Sequence, residues 1–304
     1  PVCVRVDAFG MRGNRRRLAR NLAKASGNLM RALKFLSVVA VVLAAFAWFG
    51  LPPLLRHLGL HRDYAGPAYQ LPGGRALIVT TSQSTLAPSD KATGVFASEM
   101  TAPYYVFEDG GMDVDVASIR GGEIPIDPLS FLWLVESAPD RRFQDDPEFQ
   151  RKVRESLRID DVNFADYDVV FLAGGWGAAY DLGTSEVLGR KISEAWKAGR
   201  VIGGVCHGPL GLLKATDEYG APLVRGRRLT AVTNKQVEEL GIDVTPLHPE
   251  RELRNAGATF ESSTAFRDIF ADHVVEDGRL VTGQNQNAGP EVAARMMAKA
   301  GGLQ

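Results

Sequence analysis

The run from Val201 to Pro209, VIGGVCHGP, is the feature that most restricts what this chain can fold into. Apolar β-branched residues lead into small residues, then one nucleophile, Cys206, and then a Gly-Pro pair that opens a predicted helix. This order predicts a nucleophile elbow, a sharp strand-to-helix turn whose glycines make room for strained backbone. A thiol at a helix N-terminus is favoured as thiolate. The alternative is a small, buried and inert cysteine, which the strand–turn–helix setting disfavours.

Predicted strands and helices alternate from about Arg75 to Gly301. The predicted strands are 75–81, 113–118, 168–173, 200–205, 229–233 and 279–282, and the predicted helices are 95–110, 143–157, 186–198 and 290–300. This alternation predicts an α/β fold with a parallel sheet and helices on both faces. Active sites in such sheets gather at the carboxyl ends of the strands, and both Cys206 and the pair Gly174-Gly175 fall at such ends.

The N-terminal part predicts a membrane anchor. Residues 1–34 form a basic tail with nine Lys or Arg and one Asp, and residues 35–55 carry no charge. Such a segment is long enough to cross a bilayer, and the stronger basic flank stays in the cytoplasm. We therefore expect a single-pass protein of the inner (cytoplasmic) membrane with an extracytoplasmic catalytic domain. The alternatives are a signal peptide cleaved after Ala47 and a buried soluble helix.

Residues 56–74, rich in Gly and Pro, are predicted to be a linker, and residues 75–304 a globular domain. Beyond residue 34 the chain carries 26 basic and 35 acidic residues, a balance that argues against nucleic acid as a partner. The two cysteines, Cys3 and Cys206, would lie on opposite sides of the membrane, so no disulfide is expected. The histidines have no metal-binding spacing, and no P-loop or dinucleotide fingerprint is present. We expect neither a metal nor a cofactor.

Four motifs resemble one family. They are GVFASEMTAPYYVFEDGGMDVDVAS at 94–118, FLAGGWGAAYDL at 171–182, VCHGP at 205–209 and FRDIFADHVVEDGRLVTGQNQNAGPEVA at 266–293. Together they resemble the ThiJ/PfpI superfamily of class I glutamine-amidotransferase-like proteins, in the branch with glyoxalase III and heat-shock chaperone members. The resemblance implies a flavodoxin-like, doubly wound α/β/α sandwich. It also implies a cofactor-free cysteine enzyme that converts methylglyoxal to D-lactate or deglycates proteins.

The resemblance also implies roles for particular residues. Glu99 would contact Cys206 and move protons, although by itself the residue reads as a surface glutamate. His207 would accept the thiol proton or activate water. The acid that orients this histidine in the family aligns near Val237, so either Glu238 takes that role or the triad lacks its acid. Glu238 would otherwise belong to a solvated helix face.

The strand end after Ala173 is expected to form an oxyanion hole. Backbone N–H groups of Gly174 and Gly175, with that of His207, would hold a developing negative charge. Trp176 stands where many family members have a histidine, and it would either wall the pocket or pack in the core.

Other functions stay open at this stage. A holdase chaperone or stress-response protein would need a large exposed apolar patch. A cysteine peptidase or amidase would need a competent triad, which the choice between Val237 and Glu238 puts in doubt. The partners expected are a small reactive carbonyl or a glycated protein, with a homodimer as an option that the resemblance offers.

Overall fold

The structure is a computed structural model that describes residues 9–62, 64–241 and 245–302. The chain divides into two compact units, 1–54 and 55–304. In the first unit, helix α1 (Phe9–Ala45) runs into a π-helical turn (Phe46–Gly50) and then into helix α2 (Leu51–Leu58), which reaches the second unit. The stretch Arg20–Leu58 is long and apolar enough to cross a membrane, a property that signal sequences share.

The second unit holds the remaining elements. Its described strands are β1 Arg75–Thr80, β2 Thr85–Leu86, β3 Lys91–Ala92, β4 Asp113–Ser118, β5 Leu157–Arg158, β6 Val169–Leu172, β7 Val201–Val205, β8 Arg228–Leu229, β9 Thr259–Phe260, β10 Val274–Asp277 and β11 Leu280–Gly283. Its described helices are α3 Ala97–Asp109, α4 Ala138–Gln144, α5 Pro147–Arg154, α6 Ala178–Asp181, α7 Glu186–Lys197, α8 Asn234–Glu239, α9 Pro249–Asn255 and α10 Gly289–Ala300.

Within the described ranges, seven strands form one sheet in the order β10-β11-β7-β6-β1-β4-β5. All neighbours in it are parallel except the β10–β11 pair. The strands β1, β6 and β7 lie in the middle and are buried along their length, which is why they read as continuous apolar runs. The predicted α/β fold with a mostly parallel, doubly wound sheet is confirmed.

Each face of the sheet carries its own apolar core, because successive side chains of a strand point to opposite faces. On one face Ile78 and Phe171 belong to a buried cluster that includes Met296 of α10. On the other face Leu77 belongs to a cluster that includes Ile192 of α7. This two-sided packing makes the central strands rigid, and their carboxyl ends are therefore a fixed platform for side chains.

Three expected elements differ in the structure. The predicted helix 143–157 is two helices, α4 and α5, because Asp146 caps a new helix that begins at Pro147. The predicted strand 229–233 contributes only β8, which pairs with β9 outside the main sheet. The predicted linker 56–74 begins with the exposed end of α2 and then contains packed residues, since Leu60 is 4% exposed.

Candidate active site

Cys206 lies directly after β7, at the carboxyl edge of the sheet, on strained backbone. Its φ of +59° lies in the left-handed region, which a non-glycine residue adopts at a cost of about 1–3 kcal/mol. Two backbone hydrogen bonds to other segments of the chain hold this geometry. The Cys206 N–H donates to the Gly283 carbonyl at 3.1 Å, and the Cys206 carbonyl accepts from Val232 N–H at 3.0 Å. The sequence predicted an elbow with strained backbone at the nucleophile, and Cys206 has that strained, left-handed backbone.

Glycines beside the elbow let β7 and the turn after Cys206 approach β6 closely. A Cβ on Gly208 or Gly204 would overlap the carbonyl of Leu172 in β6. The turn after Cys206 continues as a 3₁₀ helix, Gly208–Leu212. The helix predicted after Cys206 is therefore present as a 3₁₀ helix and not as an α-helix. Stabilisation of a thiolate by its N-terminus stays a prediction.

Glu99 brings a buried carboxyl group to the cysteine. It lies in the first turn of α3 and is 2% exposed. Burial raises its pKa to about 8, and the Cys206 thiol and the amides of Gly174 and Gly175 only partly oppose that rise. Among the described residues, Oε2 of Glu99 has no hydrogen-bond partner of good geometry. Near neutral pH this carboxyl group is therefore mostly protonated.

Cys206 is 7% exposed, and its surroundings favour the protonated thiol over the thiolate. Burial raises the pKa of the thiol, and the negative charge on Glu99 raises it further. The backbone amides of Gly175 and His207 donate to the sulfur and lower the pKa in part. Because the two groups share an enclosed space, they titrate as a pair, and loss of one proton leaves a single negative charge between them.

His207 is the third titratable group of the site. Its Nδ1 lies 3.4 Å from Sγ of Cys206, and the ring is 1% exposed. Burial, with a smaller contribution from the positive charge of His248, lowers the pKa of His207 to about 3. The imidazole is therefore neutral at pH 7. It can accept a proton from the thiol or from water.

Glu238, the acid proposed to orient His207, does not take that role. Glu238 lies on the exposed side of α8, whereas Val237 is 2% exposed. In the part of the chain that the structure describes, Nε2 of His207 has no hydrogen-bond partner. The prediction that Glu238 completes a triad was therefore wrong. The physical reason is helical periodicity, since Val237 takes the inward position and the next residue turns outward.

Gly174 and Gly175 occupy places that no side chain would fit. A Cβ on Gly174 would overlap Oε2 of Glu99 and lie 2.7 Å from the His207 nitrogen. Gly175 has a φ of +89°, and a Cβ there would overlap the backbone of residues 94–96. The Gly175 amide faces the sulfur, whereas the Gly174 amide faces Glu99. The Gly174 amide is therefore better placed to donate to the Glu99 carboxyl group than to an oxyanion on the substrate.

A cavity of about 230 Å³ opens onto the sulfur. Its lining is Leu60, Phe96, Glu99, Leu129, Leu132, Val135, Gly175, Trp176, Cys206, His207, Val232, Gln236, Leu240, Ile269 and Gln286. Trp176 walls the cavity and packs in the core as well, with its ring 4.7 Å from that of His207. Leu60, Gln236 and Ile269 could not be predicted as lining residues, because the packing of separate segments of the chain brings them to the cavity.

Across residues 9–62, 64–241 and 245–302, no cluster of three or more His, Cys, Asp or Glu side chains is arranged to hold a metal ion. Cys206 is a free thiol, and Cys3 lies outside the described residues. The chemistry supported by the described side chains is nucleophilic attack by sulfur with proton transfer by a carboxyl group.

The sequence model of the DJ-1/PfpI family matches residues 91–299, which contain Glu99, the glycine pair and the elbow. The chain belongs to the DJ-1/PfpI family. Among solved structures of the DJ-1/PfpI fold, the Rapid Encystment Protein 24 kDa of Francisella tularensis superposes with a TM-score of 0.69 at 31% identity. It covers 75% of this chain and 99% of that protein.

Two other relatives carry glyoxalase names. Glutathione-independent glyoxalase hsp3101 of Schizosaccharomyces pombe is 29% identical over 223 residues, covering 70% of this chain and 90% of the relative. Glyoxalase III of Candida albicans superposes with a TM-score of 0.68 at 26% identity, covering 74% of this chain and 97% of that protein. The resemblance that the motifs indicated is confirmed.

Proposed function

We propose that this protein is a cofactor-free, glutathione-independent glyoxalase that converts a 2-oxoaldehyde such as methylglyoxal to a 2-hydroxy acid. The observation that carries the proposal is the buried trio at the elbow. Sγ of Cys206 lies 3.4 Å from Nδ1 of a neutral His207, beside a Glu99 whose carboxyl group keeps its proton to about pH 8. The glyoxalase names of two relatives agree with this chemistry.

The first step is addition. The reactive form of the pair has lost one proton to solvent, so that Cys206 is the thiolate and Glu99 keeps its own proton. The thiolate attacks the aldehyde carbon, and the electron pair of the carbonyl moves to its oxygen. The amides of Gly175 and His207, which already face the sulfur, donate to that oxyanion. The protonated carboxyl group of Glu99 then gives its proton to the oxygen. The product is a hemithioacetal, and Glu99 is left as a carboxylate.

The second step is a proton shift between the two substrate carbons. The Glu99 carboxylate, desolvated and therefore basic, takes the proton from the carbon that carries sulfur. The electron pair forms an enediolate, and Glu99 returns the proton to the neighbouring carbon. The hydroxyl proton on the first carbon passes to the oxygen on the second carbon, so the first carbon becomes the carbonyl of a 2-hydroxy thioester. The shift moves hydrogen within the substrate, so it needs no external oxidant or reductant.

The last step is hydrolysis. Water attacks the thioester, and neutral His207 takes its proton. The sulfur leaves as thiolate, and the proton that His207 took returns to the Glu99 carboxylate, which restores the starting protonation of all three groups. For methylglyoxal the net reaction adds one water and yields D-lactate. Nε2 of His207 has no partner among the described residues, so the imidazole depends on burial and on Trp176 for its orientation.

The alternatives have less support. A cysteine peptidase or amidase would rely on an oriented histidine, and Glu238 is too exposed to provide that. A holdase chaperone would use exposed apolar side chains such as Leu129, Leu132 and Leu240. These leucines line the cavity at the cysteine, so a catalytic site already accounts for them. Repair of glycated amino groups would use the same sulfur adduct.

Methylglyoxal consumption by the purified full-length chain, without glutathione, tests the proposal. We expect D-lactate from the wild type and at least 1000-fold less from Cys206→Ala. Equal loss of methylglyoxal with both proteins, and no D-lactate, would overturn the proposal. A matched control is Ser263→Ala, which removes a hydroxyl group that hydrogen-bonds the Asp272 carbonyl, outside the cavity lining.

We further propose that residues 35–55 are a membrane anchor, with the basic tail 1–34 in the cytoplasm, the segment from residue 56 onward outside it, and the globular domain extracytoplasmic. The supporting observations are the long apolar helix and the nine basic residues that precede it. Basic residues stay preferentially on the cytoplasmic side of a membrane helix.

A further inference from the structure

Above the reacting groups at its floor, the cavity at Cys206 has mostly apolar walls and an apolar mouth. Leu129, Leu132 and Leu240 line it and are also 56%, 49% and 42% exposed. Apolar surface therefore continues from the sulfur to solvent. Single exposed leucines are ordinary on a protein surface, but three that share one cavity opening form a continuous apolar path.

Away from the elbow, the polar side chains of the lining are the two amides Gln236 and Gln286, and each already takes part in a hydrogen bond. Gln236 accepts a hydrogen bond from Asn285 at 3.4 Å, and Gln286 donates to the carbonyl of Ile269 at 3.3 Å. Among the residues that the structure describes, Glu99 is the one Asp, Glu, Lys or Arg in the lining. A substrate tail with a charge would lose its hydration without gaining a counter-charge.

The size of the cavity also exceeds what a three-carbon substrate fills. Methylglyoxal has five heavy atoms. At the roughly 15 Å³ of such cavity volume that one water-sized group needs, its five heavy atoms need about 75 Å³ of the 230 Å³ available. The remaining volume admits at least three further carbon atoms, and the open mouth admits more.

We propose that the preferred substrate is an apolar 2-oxoaldehyde with an alkyl chain at least three carbons longer than that of methylglyoxal. The two carbonyl carbons react at Cys206 and Glu99, and the chain lies along Leu132 and Leu240 toward solvent. Leu60 forms another part of the wall. This proposal rests on the proposed glyoxalase function and names the substrate class of the same site.

A homologous series of 2-oxoaldehydes tests the proposal. The full-length wild type is assayed with methylglyoxal, 2-oxobutanal, 2-oxopentanal and 2-oxohexanal, and 2-hydroxy acid formation is measured. Burial of one methylene group can raise kcat/KM by up to about fourfold. We expect kcat/KM for 2-oxohexanal to exceed that for methylglyoxal by at least tenfold. The rise should appear mainly in KM, because the reacting carbons are unchanged.

Substitutions at the mouth of the cavity assign the preference to particular residues. Leu132→Gln and Leu240→Gln put a polar group on partly exposed positions, which limits the damage to folding. We expect each to lower the ratio of kcat/KM for 2-oxohexanal to that for methylglyoxal by about three- to tenfold. The matched control is Leu157→Gln, at a 41% exposed leucine on β5 outside the lining, which should leave the ratio unchanged.

The outcomes separate this proposal from the one on which it rests. A flat or falling series, with methylglyoxal still converted, would overturn the apolar-substrate proposal and leave the glyoxalase function standing. The same conclusion follows if the two variants keep the wild-type ratio. If the wild type converts no member of the series, both proposals fail. A rising series that the variants flatten supports both.

Discussion

At the residue scale, Glu99 has the environment least like that of an ordinary glutamate. Its carboxyl group is buried against glycine backbone and a thiol, and its pKa is raised to about 8. A catalytic acid must hold its proton before the first step, and a catalytic base must be poorly hydrated in the second. Burial supplies both properties to the same carboxyl group, which is how one residue can serve two steps.

The raised pKa predicts how stability depends on pH. Between about pH 4.5 and pH 8 the folded chain keeps the Glu99 proton, whereas the unfolded chain loses it. The folded state then binds more protons, so the free energy of unfolding falls as pH rises. Over the whole window the loss is on the order of 4 kcal/mol. Glu99→Gln should remove this dependence and be the more stable protein at pH 8.

Urea unfolding at pH 5 and pH 8, followed by tryptophan fluorescence, measures that difference. The wild type and Glu99→Gln are compared with Glu238→Gln, a control at an exposed glutamate. A wild type whose stability changes between pH 5 and pH 8 in the same way as that of Glu99→Gln would contradict a buried, protonated carboxyl group.

Gly174 gives a second test at this scale. Gly174→Ala would push a methyl group into Oε2 of Glu99 and against the His207 amide, so we expect at least 100-fold lower activity and a loss of about 1–3 kcal/mol in stability. Gly289→Ala is the matched control, because its added Cβ meets only ordinary contacts at 3.8 and 4.0 Å. Activity of Gly174→Ala near the wild-type level would show that the glycine backbone does not position the carboxyl group.

At the element scale, the segment that follows α2 belongs to the catalytic domain. Leu60 is 4% exposed and lines the cavity. His61 fixes this segment, because its N–H donates to Oδ1 of Asn287 at 2.9 Å and its Nε2 lies 2.7 Å from the Val135 carbonyl oxygen. The catalytic cavity is thus incomplete in a protein that begins at residue 63.

We therefore expect Leu60→Ala to act on both stability and substrate binding. Removing a buried leucine side chain costs about 2–5 kcal/mol, and the lost wall should raise KM more than it lowers kcat. Thermal unfolding and steady-state kinetics measure the two effects. Leu58→Ala, at a 42% exposed position two residues earlier, is the control. Identical KM values for the two variants would show that Leu60 forms no part of the working site.

The same scale shows where sequence reasoning succeeds. The sequence predicted β1, β6 and β7 because a strand that is buried on both faces has a continuous run of apolar residues. Cys206 and the glycines followed from these strands, since elbows and oxyanion loops stand at strand ends. Glu99 was harder, because nothing local distinguishes it from a surface glutamate, and only the family resemblance indicated its role.

Other parts of the site could not be predicted from local pattern. Leu60 and Ile269 reach the cavity through loop packing, which leaves no periodic signal in the sequence. Glu238 shows a different limit. A shift of one position in α8 exchanges a buried valine for an exposed glutamate, and no motif in the segment set that register. The sequence also predicted a helix after Cys206, where the Gly-Pro pair opens a short 3₁₀ turn.

At the scale of the whole molecule, the predicted anchor decides where the enzyme meets its substrate. The helical stretch Arg20–Leu58 has the length and composition to cross a bilayer. We expect the full-length chain to stay in the membrane pellet after an alkaline carbonate wash. Val39→Lys with Leu43→Lys, each of which costs about 3 kcal/mol at a helix centre, should release it. Release of the wild type by the wash would contradict a spanning helix.

The central claim is that Cys206 holds the substrate while Glu99 moves its proton. Carbon-13 NMR of labelled methylglyoxal, mixed with full-length wild type, Glu99→Gln and Cys206→Ala, tests it most directly. We predict labelled D-lactate with the wild type, a hemithioacetal signal that persists without lactate with Glu99→Gln, and neither with Cys206→Ala. Lactate formation by Glu99→Gln at the wild-type rate, or by Cys206→Ala at all, would contradict the account.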